Sequence, residues 1–68
     1  MQAFFQSILD GGRCPRVRDT AGTEFEIHAV TESVAKGTQR LPSGERVSVC
    51  HSLAVIDDNL CCGVWTLT

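Results

Sequence analysis

A chain of 68 residues makes a single domain, near the size at which folding buries only about 60% of the unfolded surface. Its 43% apolar and 21% charged residues are ordinary for a globular protein and exclude an extended disordered tract. Six basic residues against eight acidic ones leave a net charge of −2, so the whole-molecule field offers no general attraction for nucleic acid or an anionic membrane.

The first twelve residues, MQAFFQSILDGG, lack a basic n-region and hold only a short apolar stretch. They read as neither a secretion signal nor a membrane span, and the expected location is cytoplasmic. Phe4, Phe5, Ile8 and Leu9 recur at helical spacing and Asp10-Gly11-Gly12 stops the run, which predicts a short amphipathic helix over residues 2–9. Isolated helices below about 12 residues are marginal in water, so this stripe must bury against a sheet.

Residues 13–18, RCPRVR, then Asp19-Thr20-Ala21-Gly22, then TEFEIHAV, predict a β-hairpin whose register is fixed by Gly22. A three-residue hairpin loop is usually a type I turn followed by a left-handed residue, a conformation glycine adopts without steric cost. That loop sets Asp19 opposite Thr23, Arg18 opposite Glu24, Val17 opposite Phe25, Arg16 opposite Glu26 and Pro15 opposite Ile27. One face then carries two opposite-charge pairs and the other is apolar, so turn chemistry and side-chain alternation agree. Pro15 has no N–H for a ladder, which predicts that this strand lies at a sheet edge.

In ESVAKGTQRLPSGE the turn signals are Lys36-Gly37 and Pro42-Ser43-Gly44. Between them Thr38–Leu41 reads as a short strand or irregular chain, with a helical turn over Ser33–Lys36 as the competing assignment. The last stretch, RVSVCHSLAVIDDNLCCGVWTLT, alternates apolar and polar residues from Arg46 to Val55 and predicts a second hairpin turning at Asp57-Asp58-Asn59. A three-residue loop pairs Ile56 with Leu60, Val55 with Cys61, Leu53 with Gly63, His51 with Trp65 and Val49 with Leu67. The fold class is therefore mainly β (α+β): one short helix on a four- or five-stranded antiparallel meander. Its size and order suit a small barrel of the SH3 or Sm-like kind, a likeness of architecture that transfers no function.

The candidates for chemistry are sparse. Cys50-His51 and Cys61-Cys62, with Cys14 and His28 elsewhere, match no C-x-x-C or H-x-x-H spacing. On the C-terminal register Cys50 and Cys62 stand about four residue steps apart at ~3.3 Å each, too far for one ion. No metal or cofactor is expected, and four cysteines without a secretion signal read as reduced thiols. His51 interrupts an apolar face opposite Trp65 and reads as a satisfied structural histidine, while His28 falls on the polar side of its strand. Asp57-Asp58 reads as turn chemistry, Ser52 lacks a G-x-S-x-G elbow, Gly11-Gly12-Arg13 lacks the rest of a phosphate loop and no H-E-x-x-H occurs, so no catalytic residue is assigned.

Two binding classes remain. Arg13, Arg16 and Arg18 hold half the cationic side chains within six residues, a possible single-strand nucleic-acid surface, although Glu24 and Glu26 oppose two of them and no interleaved aromatics accompany it. The favoured class is a non-enzymatic interaction module. Its last nine residues, LCCGVWTLT, carry none of the charges that normally blunt an exposed edge. The expected contact residues are Trp65 and Leu67 of this strand or Phe4 and Phe5 of the helix, with a homo-oligomer or another protein as the partner.

Overall fold

The Asp19–Gly22 turn sets the frame of the molecule. In the computed structural model, which describes residues 2–68, Asp19 Oδ1 accepts from the Ala21 and Thr23 N–H groups at 2.9 Å each, and Gly22 sits at φ +91°. The side chain thus mimics a backbone turn while glycine takes the left-handed position. It joins β1 (Arg16–Asp19) to β2 (Glu24–Val30) in the expected register, Arg16 opposite Glu26, Val17 opposite Phe25 and Arg18 opposite Glu24.

The meander continues through β3 (Val34–Arg40) and β4 (Arg46–Ser52). The middle segment is therefore one seven-residue strand, longer than the Thr38–Leu41 fragment and not the helical turn at Ser33. Thr31 makes this possible by accepting from the Val34 N–H with its side chain, which closes the preceding turn. Between β2 and β3 the pairing shifts: Ile27 faces Gly37 and Ala29 faces Lys36, leaving His28 as the extra residue of a bulge. The bulge reverses the alternation, so Val30 rather than Ala29 packs against the core. It also presses β2 onto Gly37, where an added Cβ would stand 2.9 Å from the Glu26 carbonyl carbon, 3.1 Å from Ile27 Cα, and overlap the Glu26 carbonyl oxygen. Only glycine fits there.

The expected C-terminal hairpin does not form. Residues Leu53–Cys61 are a helix, α2, so Asp57, Asp58 and Asn59 lie within it and the pairs drawn across that turn do not exist. Two local causes act together. Ser52 caps the helix, its Oγ accepting from the Ala54 N–H at 3.2 Å, and Leu53, Ile56 and Leu60 form a stripe at helical spacing that reaches the core. The helix closes with the Cys62 N–H donating to Asp58 O and Gly63 at φ +76°. The N-terminal helix, α1 (Gln2–Asp10), is as expected, ending where Gly11 donates to Ser7 O at 3.2 Å and Gly12 takes φ +82°.

α2 has a topological task, because β4 is one edge of the sheet and β5 (Trp65–Leu67) is the other, the order being β4-β3-β2-β1-β5. On a flat sheet the two edges would stand four strand spacings, about 19 Å, apart. The sheet instead curls around the helix. His51 of β4 and Trp65 of β5 indeed approach to 5.4 Å between ring centroids. The sheet remains open and is not a closed barrel. β1 lies inside it, between β2 and β5, which corrects the edge assignment drawn from Pro15. Pro15 stands just before the strand, where its carbonyl still accepts from the Ile27 N–H at 2.9 Å.

Both helices cover one face. Phe5 of α1, Leu53 and Ile56 of α2, and Val17, Phe25, Ile27 and Ala35 of the strands make one buried cluster, with Leu9, Val30, Val49, Leu60 and Trp65 around it. The total surface of 4205 Å² is about what a compact monomer of this mass exposes. Any case for a partner thus rests on where the exposed apolar residues lie, not on an excess of surface. No helix among the described residues is long and apolar enough to cross a membrane.

Candidate functional site

The uncovered face of the sheet is built by the even-numbered residues of β1 and β2 and their neighbours. Arg16 Nε donates to Glu26 Oε2 at 3.0 Å, and Glu24, only 8% exposed, receives Arg18 at 3.2 Å and Arg40 at 3.6 Å. Arg13, Lys36 and Arg46 line shallow depressions on the same side, so all six lysine and arginine residues gather on a face whose lining acids are Glu24 and Glu26. Arg16 and Arg18 stand opposite their acids as the hairpin register predicts. Arg40 and Arg46, which end β3 and begin β4 on either side of the middle turn, pair with each other and so reach the same face.

One row above those pairs lies a cluster the sequence reading passed over. Cys14 Sγ is 3.7 Å from His28 Nδ1, while His28 Nε2 is 3.3 Å from Glu26 Oε1 and 3.4 Å from Thr38 Oγ1. The signal was present: extending the first hairpin's register one step beyond Pro15 and Ile27 pairs Cys14 with His28. The other cysteines do not gather. All four are free and exposed, and Cys50, Cys61 and Cys62 belong to no group of potential ligands among the described residues.

On the helix-covered face, one end of the core is left open as a cleft of about 260 Å³ lined by Val17, Asp19, Thr23, Phe25, Gln39, His51 and Trp65. His51 is its centre. The ring stands edge-on to Phe25 at 4.6 Å and to Trp65 at 5.4 Å, and Nε2 pairs with Gln39 Oε1 at 3.2 Å. Desolvation by this packing lowers the His51 pKa from its ordinary 6.5, so the neutral ring belongs to the folded state. His51 and Trp65 do meet, by the curl of the sheet and not across a hairpin.

Trp65 also forms a wall of a second depression, an apolar groove of about 540 Å³ lined by Phe4, Leu60, Gly63, Trp65, Thr66 and Leu67. The four proposed contact residues separate here. Phe5 is wholly buried in the core, whereas Phe4 (47% exposed) and Leu67 (39%) flank the groove beside Trp65. The helix stripe and the C-terminal strand, read as alternative surfaces, are therefore adjoining walls of one surface.

This groove lies along an unpaired strand edge. On β1, residues 15, 17 and 19 direct their peptide groups to β2, as the Ile27-to-Pro15 and Asp19-to-Thr23 bonds show. Residue 16 instead faces β5, accepting from the Thr68 N–H at 2.9 Å. By alternation Thr66 bonds inward to Arg18, its partner in register, and the peptide groups of Trp65 and Leu67 point outward. No protein-family model, curated protein or solved structure matches the chain.

Proposed function

We propose that the chain is a non-enzymatic interaction module that associates with a second copy of itself through the β5 edge. The observation that carries this reading is the coincidence of an apolar groove and an unpaired edge: Phe4, Leu60, Trp65 and Leu67 adjoin the outward peptide groups of Trp65 and Leu67. Exposed edges of this kind are usually blunted by charge, and among the described residues no ionisable side chain lines this one.

The edge is self-complementary. A twofold axis at Thr66 sets Trp65 of one copy against Leu67 of the other, so both outward residues on each strand find donors and acceptors. The same axis continues the sheet with the helices of both copies on one side, which carries Phe4 and the groove into the interface. Because the lining is uncharged, two identical surfaces meet without like-charge repulsion. The test is light scattering across a concentration series. The expected mass at high concentration is twice 7.4 kDa, and Phe4→Glu, a change at an exposed position, shifts the protein to monomer while leaving it folded.

A second reading, binding of single-stranded nucleic acid, is favoured by the gathering of all six cationic residues on the opposite face. Arg16, Arg18 and Arg40 are held by acids, which leaves Arg13, Lys36 and Arg46 as the unengaged cations. Oligonucleotide binding with a log–log salt slope of about −2 to −3, near −0.7 per phosphate contact for a single strand, would support it. The absence of an aromatic stacking platform on this face places it second.

A further inference from the structure

We infer that Cys14, Glu26 and His28 form a binding site for a borderline divalent transition metal of the zinc type. One ligand atom from each residue lies within 4.8 Å of the other two. Thiolate, imidazole and carboxylate are the three donors such ions take from proteins, and tetrahedral coordination at 2.0–2.3 Å puts ligand atoms about 3.3–3.8 Å apart. Cys14 Sγ stands 3.7 Å from His28 Nδ1 and Glu26 Oε1 3.3 Å from His28 Nε2, so each contact is of the right length but they lie on opposite ring nitrogens, of which an ion takes one. Closing the triangle on one imidazole nitrogen takes rotamer changes of about 1 Å in side chains at least partly open to solvent.

Two independent features of the fold aim these side chains at one another. The bulge at His28 breaks the β2–β3 ladder at that residue alone, the device by which sheets re-aim a single side chain. Arg16 holds Glu26 through Oε2 and leaves Oε1 directed at the imidazole, as an outer partner orients a ligating carboxylate. The thiolate and carboxylate supply two negative charges, matching a divalent ion on a face otherwise rich in arginine. Three protein ligands leave a fourth position for water or an incoming donor. The order Sγ, Nδ1, Nε2, Oε1 is also that of a nucleophile, base and acid, but Cys14 and His28 are both solvent-exposed and no enclosing cleft excludes water from them.

The experiment is a titration of the reduced full chain with Co²⁺ alone, followed by Zn²⁺ displacement. The expected result is one Co²⁺ per chain with a thiolate-to-cobalt charge-transfer band and tetrahedral d–d bands, both bleached by Zn²⁺. Cys14→Ser abolishes the charge-transfer band, and His28→Ala weakens binding by about tenfold or more. A variant with Cys50, Cys61 and Cys62 all changed to serine keeps stoichiometry and spectrum. Survival of the charge-transfer band in Cys14→Ser, its loss in the triple-serine variant, or no saturable Co²⁺ binding to the folded chain would each overturn the site. Circular dichroism of Cys14→Ser keeps the result readable, since this exposed side chain is no part of the core.

Discussion

Gly37→Ala is the sharpest perturbation of the fold, because it tests the bulge on which the register of half the sheet depends. The methyl group would overlap the Glu26 carbonyl oxygen and stand 2.9 Å from its carbon, so relief requires moving the β2 backbone and not a flexible side chain. Overpacking that a core can absorb costs about 1–3 kcal/mol, and a backbone collision belongs at or above the top of that range. The whole domain should have roughly 3–10 kcal/mol of stability at 0.05–0.15 kcal/mol per residue. A loss of about 3 kcal/mol would lower Tm by about 12–24 °C in a domain of this size. Gly22→Ala is the matched control: its nearest foreign atom is a Pro42 carbon at 3.9 Å, so only the left-handed backbone is strained and the loss should be about 1 kcal/mol. Urea denaturation of the two variants measures both. A Gly37→Ala loss no larger than that of Gly22→Ala would refute the close approach of β2 and β3.

Glu24→Gln should cost about 1–3 kcal/mol in urea denaturation, because the buried carboxylate is bridged by Arg18 and Arg40; the more exposed Glu26→Gln should cost under about 1 kcal/mol. Equal losses would contradict the burial of Glu24. His51 makes stability fall on acidification: with its folded pKa below 6.5, the unfolded chain protonates first as pH drops through 6.5, and the loss grows until the folded-state pKa is passed. His51→Gln should flatten that part of the stability-versus-pH curve; an unchanged curve would sink the assignment.

Legibility in the sequence followed how local the deciding interaction is. The β1–β2 hairpin could be read to the residue because Asp19, Gly22 and the charge alternation Arg16, Arg18, Glu24, Glu26 all act within eleven positions. The same register, carried one step outward, also held the Cys14–His28 pair, which was missed by stopping at Pro15. The C-terminal stretch was ambiguous because Leu53 fits two patterns, the alternation from Val47 and the helical stripe with Ile56 and Leu60. What decided between them was the Ser52 cap and a core on the same side of both edge strands, the second of which is not a property of any short segment. Burial of Phe5 but not Phe4, and the place of Phe4 and Leu67 on one groove, likewise depend on where β5 joins the sheet.

The central claim is association through the outward edge of β5, and its most direct test is the solution mass of Leu67→Pro beside that of the wild type. The Leu67 N–H points away from β1, so proline there removes a donor only from the surface offered to a second copy and is compatible with an edge strand. At concentrations where the wild type scatters as twice 7.4 kDa, Leu67→Pro should scatter as a monomer with an unchanged circular dichroism spectrum. A wild-type protein that stays monomeric at high micromolar concentration, or a Leu67→Pro variant that remains dimeric, would contradict it.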